Sequence, residues 1–198
     1  MPAPYEIIVG PAEVYVAPVG EAFPDVDTTP AGNWTLVGTL GSENYGEGGV
    51  VLRSPRSTNP INVLGSTVPR KHAITTTGLE VEFDVIDATA EHVTLGYGVD
   101  PDDIVDTVAG SGTPGSRRFD VPTSPVPFQR SVLVRIAQSP YGEGLSSQLQ
   151  IPAANQLGNA EGTFSKSDPF QIKHIWGAVK VAGQPFARWI FQDAEALT

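Results

Sequence analysis

Apolar and polar residues alternate with a period of two along much of this chain, which is the pattern of β-strands. The alternation is clearest in residues 78–87, GLEVEFDVID, where Val81, Phe83 and Val85 alternate with Glu80, Glu82 and Asp84. Successive side chains of a strand point to opposite faces of the sheet, so the apolar residues would face a core and the acids the other side. This segment predicts a half-buried strand with a row of carboxylates on one face.

Similar patterns, bounded by glycine and proline, predict the other strands. We expect them over residues 12–17, 34–40, 49–53, 70–76, 117–121, 128–137, 146–151, 170–181 and 186–192. Residues 70–76 and 79–86 are predicted to form a hairpin that turns at Thr77-Gly78. That register would place Lys71 opposite Asp84 and Thr75 opposite Glu80, leaving the acidic face a net charge of about −2.

One helix is predicted, from Asp87 to Leu95, with Asp87 as its N-cap and Gly96 at its end. Long connections are expected at residues 18–33, 54–69, 99–118 and 150–169. The first is rich in proline and acids, the second is interrupted by three prolines, and the third is rich in Asp, Gly and Ser. The predicted fold is mostly β, an antiparallel β-sandwich or barrel with one short flanking α-helix and long loops, in a single domain covering residues 1–198.

Composition supports this fold class and restricts the kinds of partner that the chain could bind. The chain has 21 glycines and 18 prolines, which suit short strands joined by turns. Its formal net charge of −10 argues against a sequence-independent grip on DNA, because such a grip neutralises phosphates with Lys and Arg. The absence of cysteine excludes disulfides and thiolate metal sites, and no apolar run reaches the length of a membrane-spanning helix.

Motifs for catalysis or cofactor binding are weak. GSGTPG at 110–115 formally matches a dinucleotide fingerprint but contains a proline and precedes a predicted strand instead of a helix. The acidic run DPDDIVD at 100–106 lacks the turn glycine and distal glutamate of a calcium loop. His72, His92 and His174 have no metal-ligand spacing, and parallel carboxylates on one strand cannot flank a glycosidic bond. We therefore expect no enzyme activity, no metal and no cofactor.

Three tryptophans leave a carbohydrate-binding alternative open. Trp34, Trp176 and Trp189 could stack on sugar rings, although tryptophans in alternating strands are more often core or interface residues. A carbohydrate-binding β-sandwich is thus one alternative for the chain.

Several short segments follow one another along the chain in a distinctive order. The first are AEVYVAPVG at 12–20, an acidic Pro-rich loop, Trp34 before Val37-Gly38, and Gly48-Gly49-Val50. A long loop, GLEVEFDVID, a short helix ending at Gly96 and the C-terminal PFQIKHIWGAVKVAGQPFARWIFQDA come next. In this order of elements the chain resembles the major tail tube proteins of long-tailed bacteriophages. A capsid-decoration subunit or the inner-tube protein of a contractile injection device would share the fold but meet different partners.

The resemblance implies a structural virion protein of the phage tail, assembled in the host cytoplasm. Such proteins form hexameric rings that stack head to tail into a tube. Their implied partners are further copies of the same chain, the tape-measure protein, the tail terminator and distal tail proteins, and double-stranded DNA passing through without specific binding. No membrane is involved.

The acidic strand face suggests how such a tube would work. Duplex DNA is strongly negative, so a basic wall would bind and stall it, whereas an acidic wall would keep it near the axis. Glu80, Glu82 and Asp84 are the predicted lining of the bore. The alternative is an ordinary polar sheet face exposed to solvent.

Assembly also needs complementary surfaces between subunits. Up to Leu52 the chain carries seven acids and no lysine or arginine, and the densest basic stretch follows directly. The acidic N-terminal quarter is therefore the expected complement of this basic stretch. We predict that the segment Ser54 to Pro69 bridges subunits or rings. The predicted contact residues in and around it are Arg53, Arg56, Asn59, Ile61, Val63, Leu64, Arg70 and Lys71.

Overall fold

The computed structural model describes residues 8, 10–61, 68–110, 112, 114–123, 128–158, 162, 166 and 168–193. The strands in these residues are β1 (Ala12–Ala17), β2 (Thr35–Leu36), β3 (Val51–Arg53), β4 (Arg56–Ile61), β5 (Lys71–Thr77), β6 (Glu80–Val85), β7 (Val105–Thr107), β8 (Ser116–Arg118), β9 (Gln129–Ile136), β10 (Ser147–Gln156), β11 (Ile172–Ala178) and β12 (Arg188–Phe191). The α-helix α1 spans Ala90–Gly96, and 3-10 helices span Gly41–Asn44 and Pro101–Asp103.

Most of the strands belong to one antiparallel sheet. Its order is β2-β1-β9-β10-β11-β6-β3, and β12 joins it by pairing with β10. The other four strands form two separate two-stranded ladders, β4 with β5 and β7 with β8. The prediction of a mostly β, antiparallel, sandwich-like fold with one short helix is confirmed.

Strand β10 shapes the middle of the sheet by changing partners along its length. Residues 147–150 pair with β12, and residues 154–156 pair with β11. Between these halves the register with β9 shifts, from Ile151 to Ala154. Pro152 lies in this irregular stretch, where its missing N–H group removes no ladder hydrogen bond. The strand was predicted to stop near residue 151 but continues to Gln156, so the expected excursion at 150–169 begins later.

The main core lies on one face of this sheet and receives side chains from both of its ends. Val14 of β1 and Val81 of β6 belong to the same buried cluster as Trp176 of β11. Tyr45 links the two ends, because its hydroxyl accepts the Val14 N–H and donates to the Val37 carbonyl while its backbone bridges to Val85. The sheet therefore folds back on itself around one core.

A second, smaller cluster covers the other face of β1 and β9. It contains Tyr15, Ala17, Trp34 and Leu133, with Phe23 packed against it. The chain after β1 is thereby held over this face. The predicted strand at 34–40 shortens to Thr35–Leu36, because Gly38 turns the chain at a φ of 86°.

Helix α1 begins and docks differently from the sequence prediction. Thr89, and not Asp87, is the N-cap, and its hydroxyl accepts the His92 N–H. Asp87 instead accepts the Thr39 N–H at 3.0 Å. At its last residue the helix approaches β11 so closely that a Cβ on Gly96 would overlap Ile172. This contact is what fixes the helix on the sheet.

We expect Gly96→Ala to destabilise the fold by about 1–3 kcal/mol, the usual cost of adding a methyl group to a filled site. Ile172 is 2% exposed and has little room to move away. The measurement is the free energy of unfolding from urea titration. Gly48→Ala is the matched control, because a Cβ there meets no atom within 4 Å. Equal effects of the two substitutions would contradict the packing described at Gly96.

The predicted hairpin at Thr77-Gly78 is wrong. Strand β5 does not fold back on β6; it pairs with β4, and β6 pairs with β3 and β11. Arg53 lies opposite Glu80 and Arg56 opposite Thr77, while the Gly78 N–H donates to the Pro55 carbonyl at 2.9 Å. Antiparallel pairing thus continues past Gly78, from β3 and β6 into β4 and β5, because Thr-Gly does not impose the tight turn that Asn-Gly would.

The expected long loop at 54–69 is also corrected, since it contains β4. Strands β4 and β5 together form an extended ladder that continues from β3 and β6, and we call them the arm.

Candidate assembly surfaces

The acidic row on β6 exists as the alternation predicted. Val81, Phe83 and Val85 are buried, and the intervening acids Glu80, Glu82 and Asp84 are half-buried on the opposite face. The partners of these acids differ from those expected. Asp84 lies opposite Lys173 of β11, and Lys71 belongs to the arm.

Two basic side chains lie on this acidic face. Lys173 Nζ is 2.5 Å from Glu82 Oε1, and Arg53 Nε is 2.6 Å from Glu82 Oε2. These hydrogen bonds, first from Lys173 and then from Arg53, lower the pKa of Glu82. Three acids and two bases leave a local charge of −3 + 2 = −1, in place of the −2 expected from the incorrect hairpin register.

The arm has little support from the rest of the described chain. Every residue of β4 is exposed, and in β5 only Ala73 is half-buried. The two strands make extensive contacts only with each other. Ile61 and Ile74 are 47% and 62% exposed. An isolated two-stranded hairpin is at best marginally stable in water, so a surface of this kind favours packing against a partner.

The arm carries most of the predicted contact residues. Strand β4 contains Arg56, Asn59 and Ile61, Arg70 immediately precedes Lys71 of β5, and Arg53 lies in β3. Val63 and Leu64 lie outside the described residues. Arg53 is engaged by Glu82, whereas Arg56, Arg70 and Lys71 have no ion-pair partner within the described part of the chain.

A groove of about 820 Å³ lies on the second face of the sheet. Its floor includes Ser131 of β9 and Gln148 and Gln150 of β10, all three buried. One wall is β12, which contributes Arg188 and Ile190. The other wall is the loop from residue 19 to residue 27, which we call the acidic loop.

The acidic loop is anchored to the sheet by side chains beneath it. Trp34 Nε1 donates to the Ala22 carbonyl at 2.9 Å, and Gln148 Nε2 donates to the Pro24 carbonyl at 2.9 Å. The Phe23 ring packs on Trp34 with centroids 5.0 Å apart. The groove wall is therefore a built part of the fold, although the loop itself contains no strand.

The groove is predominantly acidic. Glu21, Asp25 and Asp27 line it on the loop side, against one arginine, Arg188. Glu21 accepts a hydrogen bond from Asn33, but Asp25 and Asp27 are exposed and form no ion pair among the described residues. On the floor, the buried Oε1 of Gln148 has no described hydrogen-bond donor. Sequence reasoning found the acids of this loop but not the groove, which depends on the distant strands β10 and β12.

The candidate metal and cofactor motifs have ordinary structural roles where they are described. In the 100–106 run, Asp100 accepts a hydrogen bond from Arg130 at 2.6 Å and Asp106 one from Arg117 at 2.8 Å. Across the described chain, no three potential ligand side chains group closely enough to hold a metal ion. Part of the GSGTPG segment, at positions 111 and 113, lies outside the described residues.

Two of the three histidines are structural. His92 Nε2 accepts the Gly38 N–H at 2.9 Å. His174 is fully buried and stacks on Phe83, with centroids 5.1 Å apart. Burial, with His92 nearby, lowers the pKa of His174 to about 3. Neither ring nitrogen of His174 has a hydrogen-bond partner among the described residues, so this side chain is a neutral part of the core.

The tryptophans divide between core and surface. Trp34 and Trp176 are 7% and 0% exposed, which leaves no ring face for a sugar. Trp189 is 43% exposed and stacks on Phe191, with Tyr141 packed edge-on against that ring. This aromatic cluster on β12 was not predicted as a group, because Tyr141 is distant in sequence.

Among the described helices none has the length and apolar character needed to cross a bilayer. No protein-family model matches the chain, and no curated protein matches it.

Proposed function

We propose that this chain is a structural tube subunit, which forms hexameric rings that stack into the tail tube of a long-tailed bacteriophage. The tube would hold the tape-measure protein and later conduct double-stranded DNA. The arm is the observation that carries the proposal. A charged, exposed ladder without core contacts gains its stabilisation from a neighbouring surface, and the order of elements along the chain resembles that of tail tube proteins.

The fold supports repeated assembly in a second way. The arm and the acidic groove are different surfaces on one chain, so a contact between them is head-to-tail. A head-to-tail contact produces a closed ring or an open filament, according to the rotation between copies. Rings stacked into a tube combine both outcomes. A protein acting as a monomeric binding module needs neither surface.

The bore hypothesis changes in detail because of Arg53 and Lys173. The β6 face still carries a net negative charge, but Glu82 is neutralised by its two basic partners. The charge available to repel DNA lies on Glu80 and Asp84. We retain this face as the proposed lining of the bore and assign the repulsion to these two residues.

We expect the double substitution Glu80→Lys and Asp84→Lys to slow genome ejection while tubes still form. This face would then carry four cations and one acid per subunit, so its positive net charge would attract the phosphates and retain the duplex. Glu82 is kept, because removing it would leave Arg53 and Lys173 without a partner. Ejection is followed as DNA release from assembled particles. Asp102→Lys with Asp103→Lys, on an exposed 3-10 helix, is the control for net charge. Unchanged ejection by the β6 variant would count against the bore assignment.

Negative-stain microscopy of the purified chain tests the proposed function itself. We expect rings or hollow tubes at high protein concentration. Dispersed single subunits that are retained on a polysaccharide column would instead indicate the carbohydrate-binding alternative, with Trp189 as its exposed aromatic residue. Micrographs of the whole particle, and not of the purified chain, distinguish the proposed tail tube from the inner tube of a contractile device: a long flexible tail without an outer sheath supports the first, and a sheathed tail the second.

A further inference from the structure

We propose that the charged end of the arm of one copy docks in the acidic groove of a neighbouring copy, with Arg70 and Lys71 beside Asp25 and Asp27. This inference rests on the proposed function for the presence of neighbouring copies. It narrows the receiving surface from the acidic N-terminal quarter, expected from the sequence, to the groove wall at Asp25 and Asp27.

Charge complementarity is the first argument. Arg70 and Lys71 are exposed at the described end of the arm, and the Arg70 N–H closes the ladder on the Ile61 carbonyl at 2.9 Å. Adjacent residues of an extended segment point to opposite faces, so this end of the arm is positive on both faces. Asp25 and Asp27 are exposed on the groove wall. Neither the two bases nor the two acids form an ion pair within the described part of their own chain.

Apolar surface provides the second argument. The arm exposes Ile61, and the groove contains half-buried Val26 and Ile190 on its opposite walls. An interface needs apolar contact at its centre and charged residues at its rim, because exposed ion pairs alone contribute little to affinity. The groove and the end of the arm each offer both kinds of surface.

The groove is also shaped before any partner arrives. Gln148 and Trp34 hold the acidic loop through hydrogen bonds to two of its backbone carbonyls. The Arg135 guanidinium donates to the Thr28 carbonyl, just beyond Asp27. A preorganised wall loses little conformational freedom when a partner binds. The carboxylates of Asp25 and Asp27 are therefore presented from a backbone that is already fixed.

Cross-linking tests the contact without requiring tubes, and the cysteine-free sequence suits it. Chains carrying Lys71→Cys are mixed with chains carrying Asp25→Cys and treated with a short bis-maleimide reagent. We expect covalent dimers that contain one chain of each kind. Lys71→Cys mixed with Thr107→Cys, an exposed position on β7, is the matched control and should yield at least tenfold less dimer. Equal yields in the two mixtures would overturn the proposal.

Charge reversal tests the same contact by complementation. We expect Arg70→Glu with Lys71→Glu, or Asp25→Lys with Asp27→Lys, to reduce assembly at least tenfold, and the four substitutions combined to restore it. Arg118→Glu with Lys166→Glu changes net charge equally at exposed positions outside the arm and the groove, and it should assemble normally. Failure of the combined variant to recover would overturn the pairing.

The outcomes separate this inference from the proposed function. Tubes with no specific cross-link would overturn the docking site and leave the tube function standing. Specific cross-links with no rings or tubes would support the docking site and contradict the tube function. If the wild-type chain instead binds duplex DNA through Arg70 and Lys71, so that their reversal abolishes that binding, the arm is a nucleic-acid contact and the proposal is overturned.

Discussion

Replacing residues 57–76 by Asn-Gly is expected to abolish tube formation and leave a folded subunit. Arg56 and Thr77 are directly opposite each other, so a two-residue turn can connect them without changing the register of β3 and β6. The removed strands contribute no residue to the buried core clusters. We therefore expect the melting temperature to change by only a few degrees while assembly falls below detection, measured by light scattering and microscopy.

The control for this deletion shortens a different exposed ladder. Thr107 and Ser116 are opposite in β7 and β8, so residues 108–115 can also be replaced by Asn-Gly. That variant should assemble like the wild type. Efficient tube formation by the armless variant would refute the role of the arm. Deleting only residues 54–69 would be less informative, since it would remove β4 and leave β5 without its partner.

Acid is expected to destabilise the fold through His174. The pKa of this side chain is about 3 in the folded chain, against the ordinary histidine value of 6.5 in the unfolded chain. The folded state thus binds the proton less tightly, so the contribution of His174 to stability is complete above pH 6.5 and is lost as pH falls towards 3. At pH 4.5, two pH units below the unfolded value, the loss is on the order of 3 kcal/mol. Domains are commonly stable by about 5–15 kcal/mol, so this loss is large.

His174→Phe isolates this effect. Phenylalanine can retain the stacking on Phe83 and leaves no buried nitrogen without a partner. Urea midpoints at pH 7 and pH 4.5 should show that the wild-type chain loses more stability than the variant by the amount given above. His174→Leu serves as a second variant if the larger ring does not fit. The same acid loss in the wild type and in both variants would contradict the neutral, buried state of His174.

Local sequence patterns predicted well which side chains of a strand are buried, but they predicted poorly which strands pair with each other. The alternation in β6 correctly indicated which side chains are buried, since this depends on a period of two within one strand. The predicted partner of Asp84 was wrong, because the sequence of β6 alone does not distinguish Lys71 from Lys173 as the residue opposite Asp84. Only the long ladder through Gly78 decides between them, and it is formed by residues that are distant in sequence.

The groove shows the same limit more clearly. The prolines and acids of residues 18–33 indicated a long acidic connection, but they contain no information on where it lies. Its position is determined by Trp34 and by Gln148, which is more than a hundred residues away. The burial of Leu133 on the second face of the sheet could not be predicted for the same reason, because it depends on the cover that this loop provides.

Helical reconstruction of the assembled chain by cryo-electron microscopy tests the central claim most directly. The account predicts six subunits per ring, the β6 face with Glu80 and Asp84 turned towards a hollow bore, and each arm lying on a neighbouring copy. A bore lined by lysine and arginine, or arms that extend into solvent without touching another subunit, would contradict it.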